Sequence, residues 1–331
     1  GEDALLMTKD TLLMTKDALL MTKDALLMTR PTSSGNPGAR EASAWRGGEG
    51  GRTTRMVSKV GRPLRVDSEV LANAAEGGVN RRLVLRVAEG WPEAEPGQFL
   101  MLSPGTRGGA ERYDPLLPRP MAIFRTRRMG GEAAVEVLYK VVGRGTSLLA
   151  DARPGDAVRL VGPLGRGFPE PSPGERILLV GGGTGVASLF ELARRSSTRA
   201  RVSVLLGART AADLMGRADF GSLDADLQVA TDDGSEGTAG FVTELLEREL
   251  AAEAAARVYA CGPTPMMQRA AEITEAAGLP CIVSLENRMA CGFGVCLGCA
   301  VPRSDSEQGY HLVCRDGPVF ESGELSWEGL P

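Results

Sequence analysis

The chain of 331 residues has one histidine, His311, only 5% aromatic residues, and no apolar run near the roughly 18 residues of a membrane span. One histidine gives no basis for a specific Ser/His/Asp triad, and we expect it to be a surface or packing residue. A net charge of −4 and a pI of about 5.4 give no electrostatic reason to expect nucleic acid or an acidic membrane as a partner. No basic stretch leads into an apolar one at the start, so no export signal is predicted and we expect a cytoplasmic protein.

Six cysteines in so long a chain do not make a disulfide scaffold, and metal binding is the expected use of four of them. These four are Cys291, Cys296, Cys299 and Cys314. Their spacing, C-x4-C-x2-C-x14-C, is the plant-type pattern for a [2Fe–2S] cluster. A zinc-stapled binding module is the alternative from another class, but these gaps fit a zinc ribbon poorly. Cys261 and Cys281 are left over, and we expect both to be small buried core residues.

The first 55 residues differ from the rest of the chain. Residues 1–30 are four near-identical heptads, and residues 31–55 are rich in Gly, Ser, Arg and Pro. A coiled coil explains the heptads poorly, since the best seam, Ala4 with Met7, leaves both leucines of each heptad off it. We predict a disordered, repetitive extension without function over 1–55, with a helical tail or assembly arm as the alternative. The folded protein then starts near Met56.

Short β-type runs follow, separated by Pro-Gly turns. The predicted strands are Arg65–Leu71, Arg82–Val87, Gln98–Leu102, Ala122–Thr126, Val135–Val142 and Ala157–Val161. Six short strands without a convincing helix predict a small antiparallel β-barrel over 56–168.

At Arg176 the pattern changes to alternating strands and helices, which predicts a parallel α/β sheet over 169–285. The predicted strands are Ile177–Val180, Val202–Leu206, Leu227–Ala230, Val258–Ala260 and Ile282–Leu285, and the predicted helices are Ser188–Arg195, Val242–Ala256 and Thr264–Ala277. The cluster segment, 286–331, is expected to be a third, small module. The predicted fold class is therefore β plus α/β.

A glycine-rich turn joins the first strand of this sheet to its helix. Its residues are Gly181, Gly182, Gly183, Thr184 and Gly185. Such a turn lets the backbone approach a pyrophosphate at a helix N-terminus, although a close-packed structural turn is the alternative. The pattern departs from G-x-G-x-x-G, and Gly207-Ala-Arg209 stands where a NAD-binding Rossmann fold has its ribose carboxylate. Arg209 could meet a 2′-phosphate, so the residues leave NAD and NADP open.

Five other segments allow a binding role or an ordinary turn or loop. Cys261-Gly-Pro-Thr-Pro265 is a second strand-to-helix loop at the edge where ligands bind. Arg119, fixed in direction by Pro120, could pair with phosphate. Gly143-Arg-Gly-Thr-Ser147 offers backbone donors and two hydroxyls. Asp232-Asp-Gly-Ser235 could contact a ribose or form an Asx-type turn, and Glu286–Met289 could bond a flavin or the cluster or be a polar loop.

The order of R-P-x-x-I, G-x-G-T, G-G-G-T-G and C-G-P resembles the ferredoxin–NADP reductase family. The tail is more specific. Leu285-Glu-Asn-Arg-Met-Ala-Cys-Gly-Phe-Gly-Val-Cys-Leu-Gly-Cys299, with Val313-Cys-Arg-Asp-Gly-Pro-Val-Phe320, is similar to the electron transfer subunit of class B dihydroorotate dehydrogenase. The resemblance covers roughly Leu64 to Phe320.

This resemblance implies three bound groups. It places FAD on the barrel, at Arg119, Pro120, Met121, Ala122, Leu138, Tyr139, Lys140, Gly145 and Thr146. It places NAD at Gly181, Gly182, Gly183, Thr184, Gly185, Cys261, Gly262 and Pro263. It assigns the [2Fe–2S] cluster to Cys291, Cys296, Cys299 and Cys314. One departure concerns Ala122, where the family usually has a serine whose hydroxyl could bond the flavin.

The resemblance also implies a function in pyrimidine biosynthesis. A separate catalytic subunit would oxidise dihydroorotate at an FMN, and this chain would pass the electrons through [2Fe–2S] and FAD to NAD⁺, with no pyrimidine site or catalytic residue of its own. The expected partner is that subunit, in a heterotetramer with two copies of each chain. The nearer alternative is a reductase for an oxygenase, a sulfur-reducing enzyme or glutamate synthase.

Overall fold

The computed structural model describes residues 63–88, 90–105, 114–129, 132–306 and 309–330. The predicted extension over 1–55 lies outside these residues. None of the helices in the described ranges combines the length and apolar character that a membrane crossing requires.

Seven antiparallel strands build the first half. They are β1 (Leu64–Gly77), β2 (Asn80–Val87), β3 (Phe99–Pro104), β4 (Arg119–Ala122), β5 (Arg125–Met129), β6 (Glu132–Lys140) and β7 (Ala157–Leu164). Their order is β4-β3-β7-β1-β2-β6-β5. The N–H of Phe124, just after β4, donates to the carbonyl of Glu136 in β6 over 2.9 Å, which brings the two ends of the sheet together. The predicted antiparallel barrel is confirmed.

Alternation along the strands separates two faces of this barrel. Val135, Val137 and Tyr139 of β6 are buried in the barrel core, whereas Leu138 packs with residues of the second half of the chain. Successive side chains of a strand point to opposite faces, so β6 serves both cores at once.

Two details of the barrel differ from the sequence prediction. The single strand predicted over Ala122–Thr126 is wrong, because Ile123 and Phe124 interrupt it and separate β4 from β5. A helix, α1 (Arg144–Ala150), also follows β6 where only a turn was expected. Its Leu149 is fully buried in the barrel core, and this packing explains a helix that local composition does not predict.

The second half is a mostly parallel sheet flanked by helices, as predicted. Its elements are β8 (Arg176–Gly182), α2 (Val186–Ser196), β9 (Arg201–Ala208), α3 (Arg217–Gly221), β10 (Asp226–Thr231), β11 (Thr238–Ala239), α4 (Val242–Ala252), β12 (Arg257–Cys261), α5 (Thr264–Ala276) and β13 (Cys281–Ser284). The strand order is β11-β10-β9-β8-β12-β13, followed by one antiparallel strand, β16 (Val319–Glu321).

The cysteine segment forms a small module between β13 and β16. It contains β14 (Ala300–Pro302), β15 (Tyr310–Leu312) and α6 (Val313–Asp316). The chain leaves the sheet after Ser284 and returns to it at Val319, directly alongside, and the N–H of Leu285 donates to the carbonyl of Pro318 over 2.9 Å. Both ends of the module are therefore fixed to the same edge of the sheet.

Candidate functional site

The two glycine-containing loops of the sheet touch each other backbone to backbone. Gly181 and Gly182 end β8, and Gly185 directly precedes α2. A Cβ on Gly185 would lie 2.4 Å from the carbonyl oxygen of Cys261 and 2.6 Å from the nitrogen of Gly262. The structure thus brings the predicted nucleotide-binding residues of both loops to one place at the carboxyl edge of the sheet, where open α/β folds bind ligands.

Behind these loops lies a buried thiol. Cys261 is inaccessible to solvent, and its Sγ lies 3.2 Å from the carbonyl oxygen of Ser284, to which the thiol donates. Burial raises the pKa of this thiol to about 12, so it stays protonated at neutral pH. The prediction of a buried core cysteine is confirmed here and also for Cys281, whose pKa burial raises to about 11.

Glu286 lies where the cluster module meets the glycine loop. Its Oε1 accepts a hydrogen bond from the hydroxyl of Thr184 over 3.2 Å, which joins the cluster module to the glycine loop. Desolvation by the surrounding protein raises the pKa of the Glu286 carboxyl, although the side chain is itself exposed. The contact places Glu286 at the predicted nucleotide loop, a position that neither the flavin or cluster role nor the polar-loop alternative included.

On the barrel, Arg119 lies across the start of α1. Its Nη1 donates to the carbonyl of Leu117 over 2.9 Å, and a Cβ on Gly145 would lie 2.8 Å from its Nε. Thr146 closes the same turn: its Oγ1 accepts from the N–H groups of Val142 and Gly143 at 3.0 and 3.1 Å. The structure brings Arg119, Gly145 and Thr146 together, and it uses the threonine hydroxyl to cap the helix.

The three predicted flavin residues of β6 divide between its two faces. Tyr139 is buried in the barrel core and its hydroxyl donates to Asn73 Oδ1 over 3.0 Å. Burial raises the pKa of this phenol. Leu138 and Lys140 are on the opposite face, and Lys140 Nζ lies 3.7 Å from Asp213. The Tyr139 side chain therefore points away from the face that carries Leu138 and Lys140.

The four predicted cluster ligands lie as two pairs. The Sγ atoms of Cys299 and Cys314 are 3.2 Å apart and buried, and the thiol of Cys291 is hydrogen-bonded with that of Cys296. The N–H of Gly294 donates to Cys314 Sγ over 3.0 Å. Two irons bridged by sulfide require two thiolates each, and backbone N–H groups aimed at sulfur stabilise the negative charge of the cluster.

The four thiols lie in different electrostatic surroundings. Burial raises the pKa of Cys291, but N–H groups of the loop outweigh this effect and bring it to about 6, while burial and the neighbouring Cys299 raise the pKa of Cys314 to about 12. Thiols with such different pKa values lose their protons together only when metal cations are bound to them.

The loop between the cysteines presents apolar side chains to solvent. Phe293, Val295 and Leu297 are 48%, 80% and 62% exposed, and Leu297 has a left-handed φ of 59°. A Cβ on Gly292, whose φ is 79°, would lie 2.7 Å from Met101 Cγ of the barrel. Close packing on the barrel thus holds the inner side of the loop and turns its apolar side chains outward.

Two known protein families match the cluster module and the parallel sheet of this chain. Residues 286–326 match the iron–sulfur cluster binding domain of dihydroorotate dehydrogenase B, and residues 179–272 match the oxidoreductase NAD-binding domain. The electron transfer subunit of dihydroorotate dehydrogenase B (NAD⁺) from Desulforamulus reducens is 41% identical over 71% of this chain and 88% of that protein. The chain belongs to this family of electron transfer subunits.

Further relatives and structures agree. The subunit of the same name from Bacillus caldolyticus is 43% identical over 70% of this chain and 86% of its own length. The structure of an NADH-dependent reduced ferredoxin–NADP oxidoreductase superposes with a TM-score of 0.68 and 30% identity, over 80% of this chain and 91% of that one. The ferredoxin reductase of carbazole 1,9a-dioxygenase, at 23% identity and a TM-score of 0.55 over 66% of this chain and 67% of that one, shares the fold.

Family and fold confirm the predicted cofactor set of FAD, a [2Fe–2S] cluster and NAD. The individual binding residues remain predictions. The sequence argument did not find the Thr184–Glu286 contact or the charged residues between barrel and sheet described below. Glu286 lies two residues after β13, the last parallel strand, and a position just past the carboxyl end of such a strand could have drawn attention to it.

Proposed function

We propose that this chain transfers electrons from the FMN of a catalytic, dihydroorotate-oxidising subunit to NAD⁺, through its own [2Fe–2S] cluster and FAD. The observation that carries this proposal is the pairing of four cysteines next to two touching glycine loops. A one-electron centre and a dinucleotide site in one compact body need a flavin between them, because FAD exchanges a hydride with NAD and single electrons with an iron–sulfur cluster.

Each group has a proposed set of residues. Cys291, Cys296, Cys299 and Cys314 hold the cluster. Arg119, Pro120, Met121, Ala122, Leu138, Lys140, Gly145 and Thr146 hold FAD, with Tyr139 contributing only backbone atoms. Gly181, Gly182, Gly183, Thr184, Gly185, Cys261, Gly262 and Pro263 hold NAD. This assignment divides the described chain into a flavin barrel up to 168, a nucleotide domain over 169–285 and a cluster module from 286.

The chain's own groups bind and orient in this proposal and do no covalent chemistry. Arg119 offers a cation to the flavin phosphates, and Gly185 lets a pyrophosphate approach the backbone at the start of α2. The Cys261 thiol lies buried behind these loops, and the carboxyl of Glu286 accepts a hydrogen bond from Thr184 of the glycine loop.

The exposed apolar loop is the proposed contact with the catalytic subunit. Phe293, Val295 and Leu297 surround Cys296, so a partner that covers these side chains comes within electron-transfer distance of the cluster. Apolar and aromatic anchors of this kind form the centre of stable protein interfaces. We propose a heterotetramer with two copies of each subunit, located in the cytoplasm, where reducing conditions keep cysteine ligands free.

The test is reconstitution of the purified chain with iron, sulfide and FAD. We expect about two irons and one FAD per chain, and bleaching of the visible spectrum by NADH but only slowly by NADPH. A colourless, zinc-loaded protein would rule out the proposal. Co-purification with a dihydroorotate-oxidising flavoprotein separates this function from a reductase for an oxygenase, a sulfur-reducing enzyme or glutamate synthase.

The departure at Ala122 gives a further prediction. Ala122 ends β4, opposite Phe99 of β3, and is only partly buried. We expect Ala122→Ser to slow FAD release about fivefold, since one added hydrogen bond contributes about 1 kcal/mol. FAD fluorescence after dilution measures the release rate. The exposed Ala239→Ser in β11 is the control, and an unchanged or faster release from Ala122→Ser would contradict the prediction.

A further inference from the structure

A group of buried charges joins the barrel to the nucleotide sheet. We call it the interdomain clasp, and it consists of Glu76, Arg82, Arg125 and Glu136 from the barrel with Asp219 from α3. The side chain of Glu136 is only 3% exposed, and that of Asp219 is 15% exposed. Charges buried to this extent interact more strongly than ion pairs on the surface. They hold a defined geometry only when each has an oppositely charged partner.

Asp219 is the member through which both barrel arginines reach the nucleotide sheet. Its Oδ2 lies 2.5 Å from Arg82 Nη2, and its Oδ1 lies 2.9 Å from Arg125 Nη1. Each arginine has a second acid on the barrel: Arg82 lies 2.7 Å from Glu76, and Arg125 lies 2.9 Å from Glu136. Two arginines from different strands on one carboxylate constrain rotation between the two bodies as well as their separation.

Aromatic rings extend the same contact. Phe124 of the barrel stacks on Phe190 of α2 with ring centroids 4.3 Å apart, and Phe220 of α3 meets Phe190 edge-on at 5.2 Å. The guanidinium carbon of Arg125 lies 5.3 Å from the Phe124 centroid and 5.6 Å from that of Phe190. One cation thus faces rings from both bodies, which adds cation–π attraction to the ionic contact.

The clasp connects the elements assigned to the two redox partners. Phe124 lies two residues after β4, which carries the proposed flavin residues Arg119–Ala122, and Arg125 begins β5. Glu136 shares a face of β6 with Leu138 and Lys140. On the other side, Phe190 lies on α2, the helix that starts at the glycine loop. Any rotation at the clasp therefore changes the position of the flavin strands relative to the dinucleotide loop.

We propose that the clasp is a positioning element for hydride transfer, in which Asp219 fixes the angle between barrel and nucleotide sheet. This inference rests on the proposed function. With NADH as donor, the nicotinamide C4–H bond breaks, the hydride carries both electrons to FAD, and one solvent proton completes the reduction, leaving NAD⁺. Reacting atoms must approach within ~3.5 Å, and a displacement of ~1 Å costs up to ~100-fold in rate.

The experiment compares Asp219→Asn with Glu253→Gln in the full chain loaded with FAD and cluster. Glu253 is a matched control, because its two carboxylate oxygens accept hydrogen bonds from Arg201 at the start of β9, outside the clasp. We expect Asp219→Asn to lower the limiting rate of flavin reduction by NADH about tenfold in stopped flow, with NADH affinity within threefold of wild type. Hydrogen exchange should accelerate in peptides covering 64–87 and 211–221, and Glu253→Gln should change neither readout.

The two readouts decide the outcome. Unchanged exchange in both segments, or faster exchange with an unchanged rate of flavin reduction, overturns the proposal. Arg125→Gln repeats the test from the barrel side if Asp219→Asn does not fold. A wild-type chain that NADH fails to reduce would refute the proposed function instead, whereas the exchange comparison would still report whether Asp219 holds the two bodies together.

Discussion

Cys314→Ala abolishes cluster binding while leaving the flavin and its reduction by NADH intact. Cys314 is buried, lies 3.2 Å from Cys299 and accepts an N–H from Gly294, so its loss removes one of the two thiolates proposed for one iron. Iron content should fall from about two per chain to near zero, because an iron of a [2Fe–2S] cluster needs two protein ligands. Iron analysis and the visible spectrum of the reconstituted chain measure this.

The expected loss is specific to the cluster, because the flavin and the cluster have separate proposed binding residues. FAD content and the rate of flavin reduction by NADH should stay within twofold of wild type, whereas electron transfer to a dihydroorotate-oxidising partner should fall to background. Cys281→Ala is the matched control, since Cys281 is also a buried cysteine but lies in β13, outside the proposed ligand set. Retention of two irons by Cys314→Ala would refute the proposed ligand set.

Gly185→Ala should weaken NADH binding by one to two orders of magnitude. Gly185 has an ordinary helical φ of −61°, so alanine suits its backbone and only the added methyl group matters. That methyl would lie 2.4 Å from the carbonyl oxygen of Cys261, a backbone atom that cannot rotate away. Relief requires the two loops to separate, and overpacking of this kind costs about 1–3 kcal/mol, or about 5- to 150-fold in affinity.

Titration of the flavin spectrum with NADH under anaerobic conditions measures this affinity. Gly90→Ala is the control, because no atom lies within 4 Å of the position of its added Cβ. FAD and iron contents of both variants should match wild type, since Gly185 belongs to neither the proposed flavin set nor the proposed cluster ligands. Wild-type affinity in Gly185→Ala would show that the contact between the loops is not part of the dinucleotide site.

The sequence alone predicts the parts of the site that depend on local chemistry. Cysteine spacing and glycine-rich strand-to-helix turns are short-range patterns with few physical explanations, and the structure brings the residues of each pattern together. Period-2 alternation in β6 could also have placed Tyr139 in the barrel core, since Val135 and Val137 share its face. The resemblance named the segment without distinguishing its faces.

Other features depend on contacts that no local pattern encodes. The interruption between β4 and β5 depends on the hydrogen bond from Phe124 to Glu136, which is a tertiary contact. Helix α1 depends on burial of Leu149 more than on its glycine-containing sequence. Arg82 and Asp219 are 137 residues apart, and a charged residue in a strand is usually solvated, so the clasp was invisible before the two bodies were placed together.

The return of the chain to the sheet at β16 has a consequence for biogenesis. The ribosome makes β16 only after the fourth cysteine, and until then β13 has an unpaired edge and the cluster segment lacks its second anchor. Domains fold in the order of their synthesis, so the barrel and the parallel strands can form while the cysteines are still being translated. The anchored form of the cluster module therefore exists only once β16 has been made, and a chain truncated before Val319 would leave an open edge prone to aggregation.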